Sequence, residues 1–147
     1  MKTRRDALYW SAYWDIRTTY INKQYNQVIA QAEWFFENYH FPIMQVIAFW
    51  WMNAYLYLSD YNNALLVGNM LLKEYDAGRL GRQNHFALFS NLAVATLQTG
   101  KKGAYLALLD QAEACATNDQ QKATVKEHRE KFFQEHGKFQ IVYSDTC

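Results

Sequence analysis

One proline, six glycines and two cysteines are all that punctuate this chain of 147 residues. So few breakers exclude a turn-dense all-β architecture and favour long helices. Cys115 and Cys147 are too few for a secreted disulfide framework, so a reducing cytoplasmic setting is expected. Charge of one sign is missing too: 15 Lys and Arg against 14 Asp and Glu leave a net charge of +1. Without a basic face to neutralise phosphates, nucleic acid is not an expected partner. Nor is a membrane. The longest apolar run, "IMQVIAFWWMNAYLYL" from Ile43 to Leu58, has 16 residues and carries Gln45 and Asn53, short of the ~20 that span a bilayer. "MKTRR" is followed by "DALYWSAYWD", which has two acids and no apolar core for a secretion signal, and "SDTC" lacks the spacing of a prenylation box.

Aromatic and apolar residues are plentiful: 17% are aromatic and 50% hydrophobic, enough for one domain over 1–147 to bury about 70% of its unfolded surface. They recur with a period. "YNQVIAQAEWFF" begins at Tyr25 and "YNNALLVGNMLL" at Tyr61, 36 positions later. Apolar or small residues match at Val28/Ala64, Ile29/Leu65, Ala32/Gly68, Phe35/Leu71 and Phe36/Leu72, and these positions trace one helical face. A third copy, "FSNLAVATLQTGKKGAYLALLDQAEA", places Gly100 where Ser59 stands 41 positions earlier, its extra length falling in "EYDAGRLGRQN". The spacing predicts three helix-turn-helix repeats over about 5–38, 43–75 and 84–116, with a seventh helix over about 120–136 closing the stack. In that seventh helix Asn118 or Asp119 is the expected cap and Gly137 the expected stop. "KFQIVYSDTC" is left as a frayed tail or a short strand.

The stretch "NAYLYLSDYNNAL" resembles the tetratricopeptide repeat, through Asn53, Ala54, Tyr55, Asp60, Tyr61 and Ala64. Phe89, Leu92, Ala93, Gly100 and Ala112 extend the likeness to the third copy, whereas Ile16 and Met52 stand where the family has a small residue, and Phe35 and Leu71 replace a later one. The resemblance implies an all-α fold, a right-handed α-α superhelix, with the first helix of each repeat lining its concave side. Carried over by position, that lining is Trp10, Tyr13, Trp14 and Arg17, then Phe49, Trp50, Asn53 and Tyr57, then Ser90 and Asn91. Rings give contact area at low entropic cost and side-chain amides pair with peptide backbone, so a protein or peptide partner is expected there. "HFALFSNLAVATLQTGKKGAYLALL" is also similar to the repeat domain of bacterial peptide-pheromone receptors, here without room for their DNA-binding part.

Catalytic motifs are not found. His40, His85, His128 and His136 make no zinc pair on one helical face. "GRLGRQ" lacks the ending of a phosphate loop, so Arg79 and Arg82 read as solvated. Glu33 and Glu37 form a mildly repelling surface pair, and Cys115 has no histidine nearby to activate it. A non-enzymatic scaffold without metal or cofactor is the leading expectation. A competing one is self-association as a homodimer, because Phe49, Trp50 and Trp51 point in three directions from one helix and cannot share one neighbour.

Overall fold

The computed structural model describes residues 4–39 and 45–146, with side chains described over 7–39 and 45–135. Seven α-helices fill it: α1 (Arg4–Ile21), α2 (Tyr25–Asn38), α3 (Gln45–Tyr57), α4 (Tyr61–Asp76), α5 (His85–Gln98), α6 (Lys102–Ala114) and α7 (Asp119–Thr146). One 3₁₀ turn, Arg82–Asn84, precedes α5. No strand occurs among the described residues. The expected start of the third helix at Ile43 lies outside them.

Each helix packs on the one before and the one after it, and the odd-numbered helices also meet, α1 with α3 and α3 with α5. The repeat is visible in the backbone of the turns. Lys23, Ser59 and Gly100 all take positive φ, near 60°, 59° and 87°. At each of them the same two bonds close the preceding helix: Lys23, Ser59 and Gly100 donate to Tyr20, Leu56 and Leu97, and the following residues Gln24, Asp60 and Lys101 donate to Thr19, Tyr55 and Thr96. This paired closure satisfies the orphan carbonyls of a helix end and requires a left-handed residue, which glycine takes freely and Lys23 and Ser59 take at some steric cost.

The side chains repeat with the backbone. Ile16, Met52 and Ala93 are all buried, as are Val28, Ala64 and Tyr105, then Phe35, Leu71 and Ala112. Full burial of a side chain such as Phe35 or Leu71 contributes about 1.5–3 kcal/mol. The bulky Met52 is accommodated because Gly68 faces it: a Cβ on Gly68 would stand 2.9 Å from Met52 Cε and 2.6 Å from Leu92 Cδ2. The corresponding pair in the first copy is Ile16 with Ala32, and in the third Ala93 with Leu109, all buried. A large residue on one helix is matched by a small one at the partner position, so the summed volume is held while its distribution changes.

Two apolar clusters result, one around α1, α2 and α3 and one from α3 to α7, and Ile29, Phe36 and Trp51 pack against both. The three consecutive aromatics of α3 find three neighbours inside the chain. Phe49 enters the larger cluster, Trp50 stacks on Tyr20 of α1 at 5.7 Å, and Trp51 stacks on Phe36 of α2 at 5.5 Å. No second subunit is needed to cover them, which removes the sequence argument for a dimer built on these three residues.

At the far end α7 is held by Arg129, whose guanidinium pairs with Asp110 and Glu113 of α6. Asn118 is its cap, with Oδ1 accepting from the Gln121 amide at 2.8 Å, while Gln121 Oε1 accepts from the Thr117 amide at 2.7 Å. Gly137 does not stop α7, whose backbone continues as helix to Thr146, through the stretch expected to be a frayed tail or a strand. An interior glycine costs about 1 kcal/mol relative to alanine, which weakens a helix without ending it.

Candidate functional site

Tyr13, Trp50, Tyr20, Asn53 and Asn91 come together across α1, α3 and α5. Their α-helical spacing explains this: Tyr13 and Tyr20 are seven apart on α1, and Trp50 and Asn53 three apart on α3, so each pair shares a face. Tyr13 lies 5.5 Å from Trp50, ring to ring, and Trp50 stacks on Tyr20. Below the rings runs a polar ladder: Asn53 Nδ2 donates to the Tyr20 hydroxyl at 3.2 Å, and Asn91 Nδ2 donates to Asn53 Oδ1 at 2.9 Å. All of these side chains are partly buried. A primary amide has two donors and an acceptor with two lone pairs, so Asn53 and Asn91 keep hydrogen-bonding capacity beyond the ladder.

Around this centre the expected residues divide. Arg17 lies with its guanidinium carbon 5.5 Å from the Trp14 ring centroid, and Trp14 is exposed at the edge of the molecule together with Trp10. Tyr57 stacks on Tyr25 with centroids 4.5 Å apart while remaining largely exposed at the turn between α3 and α4. Phe49 is a correction: it is 7% exposed and belongs to the core, because its direction from α3 points toward α4 and α5. Ser90 and Asn91 open onto a cleft of about 190 Å³ with Ala93, Val94, Leu109, Val125 and His128.

That cleft shares Val94 and His128 with a larger one of about 280 Å³, walled by Leu97, Gln98, Tyr105, Lys131, Phe132 and Glu135. On α7, Val125 and Phe132 are buried against α5 and α6 while His128 and Glu135 stay exposed at the rim of these clefts, the four sharing one stripe at offsets of three, seven and ten. Tyr20 and Tyr25 were also missed, although Tyr20 is the residue seven after Tyr13 and that spacing was the available signal. For α7 the signal was the apolar pair Val125 and Phe132, seven apart on one helical face.

The electrostatics of the site are mild. Burial raises the Tyr105 phenol, and the Glu135 carboxylate adds to the rise. Tyr25 is likewise raised, first by desolvation and then by its neighbours Tyr57 and Tyr20. Burial pushes the Cys115 thiol up against a weaker opposing pull from Arg82, which keeps it protonated and poorly nucleophilic at neutral pH. Among the described residues no three His, Cys, Asp or Glu side chains are grouped to hold a metal ion, and no helix is long and apolar enough to cross a membrane.

Comparison with protein-family models, with curated proteins and with solved structures finds no match to this chain.

Proposed function

We propose that the protein is a non-catalytic, tetratricopeptide-like helical stack that binds an extended peptide segment of a partner protein along the face of its odd-numbered helices. The observation that carries this reading is the Tyr20–Asn53–Asn91 ladder. It crosses three helices that are far apart in sequence, has spare amide capacity to pair with a peptide backbone, and is edged by the Tyr13 and Trp50 rings. The two adjoining clefts beyond Ser90 and Asn91 extend the same face toward α7 and offer space for side chains of the ligand. The right-handed superhelical arrangement and a cytoplasmic location belong to this proposal, the latter supported by a sequence with only two cysteines.

The test is selection of binders from a random linear peptide library against the wild-type protein, followed by titration of the enriched peptides. Asn53→Ala and Asn91→Ala are expected to weaken binding roughly tenfold each, the loss of one or two backbone hydrogen bonds. Trp50→Ala should weaken it further and change the intrinsic fluorescence response. Enriched peptides whose affinity is indifferent to all three substitutions would sink the reading.

A further inference from the structure

We propose that the two clefts between α5 and α7 read an apolar pair in the bound peptide: an aliphatic side chain beside Asn91 and, two residues along, an aromatic one. The pair rests on the peptide-binding reading above and names the sequence feature that such binding would select.

The repeat is broken where these clefts lie. α1 meets α3 and α3 meets α5, but no comparable contact joins α5 to α7 among the described residues. Aligned on the buried Ile16, Met52 and Ala93, α1 offers Tyr13 and Trp14 and α3 offers Phe49 and Trp50 where α5 has Ser90 and Asn91. Two ring positions of the earlier copies are thus taken by small polar side chains, and both of these line open space. The floor of that space is apolar. Ala93, Leu109 and Val125 lie under the nearer cleft, Tyr105 and Phe132 under the farther one, and all are buried. The polar lining residues are more exposed than this floor.

Size sets the kind of group each cleft takes. Their volumes, about 190 and 280 Å³, fall below the ~300–1,000 Å³ of a site that encloses a whole small molecule. A water occupies ~30 Å³, so either cleft has room for one amino-acid side chain. The nearer floor is aliphatic and suits Leu, Ile or Val. The farther floor holds the Tyr105 and Phe132 rings, 5.3 Å apart, against which a third ring packs favourably.

Spacing sets the pair. From the nearer cleft to the farther, the lining of α5 moves from positions 90–94 to 94–98 and that of α7 from 125–128 to 128–135. That is about one helical turn, roughly 6–8 Å. An extended chain covers this distance in two residues at ~3.3 Å each, and residues two apart point the same way. A helical ligand would match at a spacing of four, but its backbone groups are already paired within it. Asn91 both ends the polar ladder and lines the nearer cleft. Its spare amide capacity therefore selects the extended form, whose backbone is free to bond.

The experiment labels the strongest binders from the random linear library with a fluorophore and titrates them against the full chain by anisotropy. Their sequences should share an aliphatic and an aromatic residue two positions apart. Replacing either by alanine should weaken binding to wild type roughly tenfold or more, the loss of one buried side chain. Val94→Trp, where the two clefts meet, should weaken binding by a similar factor. Ser90→Leu fills the nearer cleft alone, so it should cost affinity only for peptides that keep the aliphatic residue. Both variants should retain wild-type circular dichroism, and the peptide truncations are read on wild type whatever either variant does. Peptides that need Asn53 and Asn91 but lack the pair, or that bind Val94→Trp as tightly as wild type, overturn the pair and leave the peptide-binding reading standing. A pair spaced four apart overturns it in favour of a helical ligand. Peptides indifferent to Asn53→Ala and Asn91→Ala remove both.

Discussion

At the residue scale, two glycines on helices make opposite predictions. Gly68 lies where α4 meets α3 and α5, and a methyl group there would collide with Leu92 and Met52. Gly68→Ala gains up to about 1 kcal/mol in helix propensity and loses about 1–3 kcal/mol to overpacking, so a net destabilisation of about 1–2 kcal/mol is expected. Gly103, in the first turn of α6, has nothing within 4 Å of the position a Cβ would take. Gly103→Ala is expected to stabilise by about 0.5–1 kcal/mol. Urea denaturation of both variants tests the pair, and a Gly68→Ala variant as stable as wild type or more so would show that contacts around Gly68 are looser than described. The sequence marked Gly68 as equivalent to Ala32, but nothing in it showed that Met52 was the reason for the missing methyl.

At the element scale, α7 depends on few anchors. Val125 and Phe132 are buried beneath it, and the Arg129 fork joins it to α6, where Asp110 and Glu113 are themselves well exposed. Exposed ion pairs are worth about 0–1 kcal/mol each. Arg129→Ala is therefore expected to cost only about 1 kcal/mol globally while loosening α7 selectively. Native-state hydrogen exchange should show faster exchange of α7 amides, with those of α3 and α4 little changed. Uniform acceleration across all helices would contradict it. The existence of all seven helices was legible in the sequence, since apolar period and turn residues agree over each one. The far end of α7 was not. Gly137 looks like a stop because glycine commonly follows helices, yet the closing bonds that make Gly100 an end are formed by the residues around it and not by glycine alone.

At the scale of the whole molecule, tyrosine burial sets the alkaline limit of stability. The phenols of Tyr9, Tyr25, Tyr55 and Tyr105 are all raised above their ordinary value of 10.0, each chiefly by desolvation. Tyr55 also donates to Glu33 Oε1 at 3.2 Å, a bond its ionised form could not make. The unfolded chain loses these protons first, so above pH 10.0 the folded form holds more protons than the unfolded one, and stability falls as pH rises through that window. The Cys115 thiol, raised from 9.0, adds to the fall with the same sign from slightly lower pH. Melting temperatures recorded from about pH 8 to 11 should be level at first and then drop. A flat profile past pH 10.0 would mean that these rings are solvated in the folded protein.

The amino-acid sequence by itself determined the number, order and approximate limits of the helices, because period, turn and composition are local properties that the backbone obeys wherever it lies. It also determined which face of each second helix is buried, through the match of Val28, Ala32 and Phe35 with Ala64, Gly68 and Leu71. The tertiary structure alone decided where the aromatics of α3 go. Phe49, Trp50 and Trp51 are equally apolar, and only the positions of α1, α2, α4 and α5 around them make one a core residue, one a ring stacked on Tyr20 and one a joint between two clusters. The same holds for Asn53 and Asn91, 38 positions apart, whose meeting depends on how three helices cross and not on any pattern along the chain.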